Sequence, residues 1–254
     1  MPKTVLITGA SSGFGAACAK KFAEDSCSLV LVARRSDKLE QLKQQLQSKC
    51  NIHTVALDIT DPVAVEQALA QIPAEFCAID VLINNAGLAL GLDTADKADF
   101  SDWETMINTN ILGLLRMTSH FLPGMVQRNS GHIINIGSTA GSWPYPGGNV
   151  YGATKAFVQN FSRNLRADLL GKKVRVSNIE PGMAETDFSN IRFKGNSDKA
   201  QQVYEKAQAL TADDVADIIY WVTSVPPHVN INSVEVMALC QAWGPLAVDR
   251  TMED

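Results

Sequence analysis

The sequence has no Cys-x-x-Cys pair, no block of like charge, no low-complexity stretch and no apolar run near the roughly 20 residues that cross a bilayer. Its five cysteines (Cys18, Cys27, Cys50, Cys77 and Cys240) are scattered and odd in number. That argues against a disulfide framework and a zinc site, and for a reducing cytoplasm. With 22 Lys and Arg against 27 Asp and Glu, the net charge of −5 makes nucleic acid a poor partner. The opening Met1-Pro2-Lys3-Thr4 runs straight into an apolar segment and leaves no room for a signal peptide. A cytoplasmic protein with no metal and no membrane partner is expected.

What is present is apolar bulk, 46% of 254 residues, enough for a large core. Short β-branched runs at 5–8, 29–33, 53–57, 81–84, 133–136, 174–179 and 234–237 read as strands. Between them, 15–23, 36–47, 61–71, 103–125, 151–170 and 211–223 carry helical periodicity. Asp61 before Pro62, and Thr211 before Asp213 and Asp214, mark helix starts, and Gly171 marks a helix end. Strands apolar on both faces and alternating with helices predict an α/β fold: a single-domain, Rossmann-type doubly wound parallel sheet over residues 1–254. The polar stretch 185–202 breaks the rhythm and predicts a mobile substrate lid over 185–205.

The first strand runs into Thr8-Gly9-Ala10-Ser11-Ser12-Gly13-Phe14-Gly15 and then a helix. Glycines let backbone approach a pyrophosphate, whose charge suits the free N–H groups of a helix start. The second strand ends Val32-Ala33-Arg34-Arg35. NAD binders place a carboxylate at this point and NADP binders an arginine, so NADP is expected. Asp37 falls later and reads as the first turn of the next helix. Asp58 and Ile59 follow the third strand, where they would meet the adenine, and Asn84-Asn85-Ala86-Gly87 follow the fourth. Open α/β sheets bind ligands at these strand ends.

Tyr151 and Lys155 are four residues apart and share a helix face. A phenol titrating near 10 is a poor base at neutral pH. A neighbouring ammonium, or an oxidised nicotinamide ring, would lower that value, and Tyr151 would then exchange a proton with an alcohol or carbonyl oxygen. Ser138 would hydrogen-bond the same oxygen, and Asn110 would hold a water linking Lys155 to solvent. Alone, Tyr-x-x-x-Lys is far more often an ordinary helix surface pair; its weight comes from the elements before it.

Together, Thr8-Gly9-x-x-x-Gly13-x-Gly15, Asn84-Asn85-Ala86-Gly87, Asn110, Ser138, Tyr151-x-x-x-Lys155 and Pro181-Gly182-x-x-x-Thr186 resemble the short-chain dehydrogenase/reductase family, in its order and over most of the chain. The resemblance implies a seven-stranded sheet and a homo-oligomer, usually a tetramer. It also implies a catalytic tetrad of Asn110, Ser138, Tyr151 and Lys155. Lys155 would hold the nicotinamide ribose and Thr186 the carboxamide, with Pro181 and Gly182 beside it. The family more often has Ile or Leu where this chain has Phe14, and the turn 181–186 is one residue shorter than in relatives, which loosens the alignment of the substrate wall.

The segments from Gly137 to Tyr151, from Phe188 to Gly195 and from Pro227 to Asn232 are similar to the NADP-dependent 3-hydroxy acid dehydrogenases, which oxidise serine, L-allo-threonine or 3-hydroxypropionate and reduce semialdehydes. Such a substrate carries a carboxylate near the reacting carbon. Arg192 or Lys194 in the lid would bind it, Arg192 first because of its bidentate geometry. Trp143 and Phe193 read equally well as packing, and His228 as structural. Two rivals stay open: a carbonyl or sugar reductase for uncharged substrates, and a non-catalytic NADP-binding regulator.

Overall fold

The computed structural model describes residues 3–244. Its strands are β1 (Thr4–Thr8), β2 (Ser28–Ala33), β3 (Ile52–Ala56), β4 (Val81–Asn84), β5 (Gly131–Ile136), β6 (Val174–Pro181) and β7 (Ser233–Val236). All seven join one parallel sheet in the order β3-β2-β1-β4-β5-β6-β7. The main helices are α1 (Gly13–Glu24), α2 (Ser36–Leu46), α3 (Pro62–Ala70), α4 (Phe100–Ile107), α5 (Leu114–Arg128) and α6 (Asn149–Asp168). They are followed by α7 (Phe188–Arg192), α8 (Ser197–Gln202) and α9 (Ala212–Ser224).

Successive strand side chains point to opposite faces, so β1 feeds two cores. Ile7 packs with Phe22 of α1, Leu39 of α2 and Ile219 of α9. Leu6 packs on the other face with Val65 of α3, Met117 of α5 and Leu165 of α6. Every residue of β1 is buried, which explains a strand that runs apolar without alternation. The helix-start signals act as expected. The Asp61 carboxylate accepts from the amides of Val63 and Ala64, with Pro62 in the first turn. Thr211 and Asp214 form a reciprocal capping box at the start of α9.

One expectation needs correction. The periodicity at 103–125 belongs to two α-helices joined by a π-helical turn, Asn108–Gly113. Hydrophobic spacing cannot register one wide turn; here it goes with two hydrogen bonds that Asn110 makes to the backbone of Leu88. The expected lid is built of two short helices, α7 and α8. The Asn196 side chain caps α8, and a bridge from Ala184 to Leu210 closes the base of the excursion.

β1 and β4 are neighbours although the chain reaches β4 from β3 at the far edge. The connections therefore diverge above β1 and β4, leaving a crevice at their C-terminal ends. Among the described residues no helix is long and apolar enough to cross a membrane, and no group of three or more His, Cys, Asp or Glu is arranged for a metal. The five cysteines are free thiols.

Candidate active site

A cavity of about 1320 Å³ opens over that crevice. It is lined by Gly9, Ser11, Ser12, Gly13 and Phe14 after β1, by Arg34 and Arg35 after β2, and by Asp58 and Ile59 after β3. Asn85, Ala86 and Gly87 follow from β4, Ser138 from β5, and Tyr151 and Lys155 from α6. Pro181, Gly182 and Thr186 at the end of β6, with Arg192 on α7, complete the residues singled out from sequence. Gly15 and Asn110 are not among the residues lining the cavity and stand directly behind it. A Cβ on Gly15 would strike the Gly9 carbonyl and the Asn85 amide, so this glycine serves the packing of α1 against the loop. Asn110 is buried, and its side-chain amide is spent on Leu88 and Thr154 (3.1 Å).

The loop after β1 is shaped for an anion. Gly9 has φ +67°, and a Cβ there would crowd Asn85 and Ala86. Asn85 itself is tied down, its side chain donating to the Thr8 carbonyl at 2.8 Å. Ser12 stands at the N-cap of α1 yet caps nothing. Its hydroxyl accepts instead from Arg35 Nη2 at 2.8 Å, and Ser11 accepts from the same guanidinium at 3.0 and 3.2 Å. The first-turn amides of a twelve-residue helix are thus left without a side-chain partner beside a guanidinium. Arg34 is largely exposed and only loosely paired with Asp58, at 4.0 Å. Asp37 lies in the first turn of α2 and outside the cavity lining. These groups fit a dinucleotide carrying an extra phosphate better than one carrying a free ribose diol.

At the other end, Ser138 Oγ accepts from the Ala140 amide at 3.1 Å and faces the Pro181 carbonyl at 3.4 Å. Lys155 is buried, donates to the Ile136 carbonyl at 2.7 Å, and lies 5.8 Å from the centre of the Tyr151 ring. Burial brings its ammonium down to about 8. Tyr151 moves opposite to the expectation drawn from its neighbouring cation. Burial pushes its phenol up to about 12, against the downward pulls of the Ser138 hydroxyl and the Arg192 guanidinium. The ring packs with Leu88, Met106 and Phe188, and desolvation there outweighs a lysine that spends its charge on a backbone carbonyl.

The lid cations divide. Arg192 Nη2 donates to the Tyr145 hydroxyl at 2.9 Å, and its guanidinium carbon lies 5.1 Å from the Tyr151 ring centre. Arg192 Nε is buried without a partner, and no carboxylate pairs with this guanidinium among the described residues. Lys194 instead pairs with Asp102 at 2.9 Å and is absent from the lining. Trp143 lines the cavity, packed on Trp243, with both indole N–H groups donating to Glu235. Phe193 lies outside the lining, and His228 sits exposed in a turn. Tyr145 and Tyr204 were not singled out from sequence. Tyr145 holds Arg192, and Tyr204 ties Ser189 to the Ala184 carbonyl. Only the aromatic spacing around Pro144 and Pro146 hinted at the first, and nothing at the second.

A short chain dehydrogenase family model matches residues 3–197. The NADP-dependent 3-hydroxy acid dehydrogenase YdfG of Escherichia coli strain K12 is 53% identical over 247 residues, 97% of this chain and 99% of that protein. A sulfoacetaldehyde reductase of Chromohalobacter salexigens is 48% identical over 250 residues, 98% and 99% of the two chains. Among solved structures, the closed form of a serine dehydrogenase complexed with NADP+ superposes with a TM-score of 0.94 at 53% identity, over 98% of this chain and 100% of that one.

Proposed function

This chain belongs to the short chain dehydrogenase family, and we propose that it interconverts small 3-hydroxy acids and their semialdehydes with NADP(H) as cofactor. Serine, L-allo-threonine and 3-hydroxypropionate are the expected alcohols. The observation that carries this substrate class is Arg192: a guanidinium without a carboxylate partner among the described residues, 5.1 Å from the ring of the reacting tyrosine. A 3-hydroxy acid has its carboxylate two carbons from the carbinol carbon, which suits one side chain serving each end.

NADPH, when bound, supplies hydride to the carbonyl carbon, and NADP+ takes it back in the reverse direction. Gly9, Ser11, Ser12, Gly13 and Phe14 hold its pyrophosphate side, Arg34 and Arg35 its 2′-phosphate, and Asp58 and Ile59 its adenine. Asn85, Ala86, Gly87, Pro181, Gly182, Thr186 and Lys155 hold the nicotinamide end. Tyr151, protonated at neutral pH, gives its proton to the substrate oxygen during reduction, while Ser138 donates a hydrogen bond to that oxygen. The phenolate left behind is favoured by the Arg192 guanidinium, with the Lys155 ammonium 5.8 Å from the ring centre as a second cation. Asn110 positions rather than touches: it fixes Leu88 and Thr154 around the start of α6.

Oxidation needs Tyr151 without its proton and speeds up as pH rises; reduction slows above about 8, as Lys155 loses its charge. A guanidinium also suits a sulfonate, the group borne by the substrate in the name of the second relative, so a short sulfonated aldehyde is a second reading. The deciding experiment measures initial rates by NADPH absorbance with 3-hydroxypropionate, serine, sulfoacetaldehyde and neutral alcohols of equal length. Turnover of the anionic compounds at far lower KM supports the assignment, and preference for neutral alcohols overturns it.

A further inference from the structure

The segment that carries Arg192 is fastened from outside the cavity. After α7 the Gly195 amide donates to the Asn190 carbonyl at 2.8 Å and the Lys194 amide to the Ile191 carbonyl at 3.0 Å. Both residues take positive φ in this helix-ending turn, 51° at Lys194 and 86° at Gly195. Glycine adopts that conformation freely, whereas a lysine is strained there. The strained residue turns its ammonium onto Asp102 Oδ2 at 2.9 Å, a carboxylate only 15% exposed. Asp99 and Asp93 stand around the same ammonium. Asp93 and Asp102 also flank Gly91, whose amide donates to the Arg192 carbonyl at 2.9 Å. The backbone of Arg192 and the cation two residues beyond it are thus both gripped by the 91–102 segment, while the Arg192 head group rests on Tyr145 and Tyr151.

We propose that Lys194 and Asp102 form a latch that positions Arg192 for an anionic substrate, a role that rests on the substrate assignment above. Neither residue touches the substrate; both act through Arg192. Lys194 also masks the three carboxylates, so its loss both frees the lid and turns an acidic rim toward the anion.

The test compares Asp102→Asn, Lys194→Met, the charge exchange Asp102→Lys with Lys194→Asp, and Arg192→Ala. Each is assayed with 3-hydroxypropionate and its uncharged methyl ester. Asp102→Asn should raise KM for the acid about fivefold, the scale of a partly exposed ion pair, and Lys194→Met should raise it further. Neither should change kcat or KM for the ester, the charge exchange should recover the acid, and high salt should shrink the difference. Amide exchange at Gly91 should quicken in Asp102→Asn, a readout independent of turnover. Equal losses on acid and ester would mean a merely structural pair and overturn the latch. Unchanged acid kinetics in both latch variants beside a damaged Arg192→Ala would overturn the latch alone. A silent Arg192→Ala would overturn latch and clamp together.

Discussion

The two ends of the cavity are held in different ways. At the phosphate end the groups are fixed by strand termini and by each other: Asn85 on the Thr8 carbonyl, Arg35 on Ser11 and Ser12, and Gly9 pressed against Ala86. At the substrate end, Arg192 sits at the end of the short helix α7, held by the Tyr145 hydroxyl, by the Gly91 amide on its carbonyl and, through Lys194, by Asp102. The first end is cross-tied by neighbouring strand termini. The second, on the reading proposed above, selects by charge through one guanidinium.

The sharpest break comes at the seam between the ends. Tyr151→Phe should lower turnover by about 10²- to 10⁴-fold, the range of a lost general acid, and leave NADPH binding intact. Fluorescence titration of NADPH alongside single-turnover rates checks both halves of that statement. Next is the double replacement of Arg34 and Arg35 by alanine, which should weaken NADPH about 10- to 100-fold and NADH far less. Equal weakening would place the 2′-phosphate elsewhere. Gly15→Ala attacks the same end through shape: its methyl meets the Gly9 carbonyl, so a fall of about 1–3 kcal/mol in stability by thermal or urea unfolding is expected, with little change in charge preference.

The smallest effect lies beneath both ends. His132 is buried on β5 against the Ser177 hydroxyl, its Nδ1 unpartnered, with the amide of its backbone on the Asp80 carbonyl. Burial first, then Arg175 and Lys3, hold its titration well below the usual histidine range. The unfolded chain takes up a proton near pH 6.5, which the folded chain resists. Stability from this group is therefore full above about 6.5 and declines as pH falls, by at most about 1.4 kcal/mol per pH unit. Urea unfolding from pH 7 to 5 should show that slope, and His132→Leu should flatten it.

The same contrast governs what the sequence made legible. Strand ends and glycines at the phosphate end are local features, because their physics, close backbone approach and a helix start, acts between residues a few positions apart. All seven strands and the loop after β1 could be read that way. The π turn at Asn108–Gly113 could not, since its partner Leu88 lies in the loop after β4, 22 positions from Asn110. Nor could the split between Arg192 and Lys194: two positions along the chain and a left-handed backbone at Lys194 send the two cations to different partners, Tyr145 and Asp102. The direction of the Tyr151 shift in the chain on its own is equally illegible, because four-residue spacing reports a neighbour and says nothing of desolvation.

The most direct measurement sets 3-hydroxypropionate against its methyl ester as substrates and compares their KM values in the natural chain and in Arg192→Ala. The natural enzyme should favour the acid, and the variant should lose about tenfold or more on the acid while leaving the KM of the ester in place. An acid KM that does not move, or one that moves equally with the ester, would contradict a charge-selective substrate end.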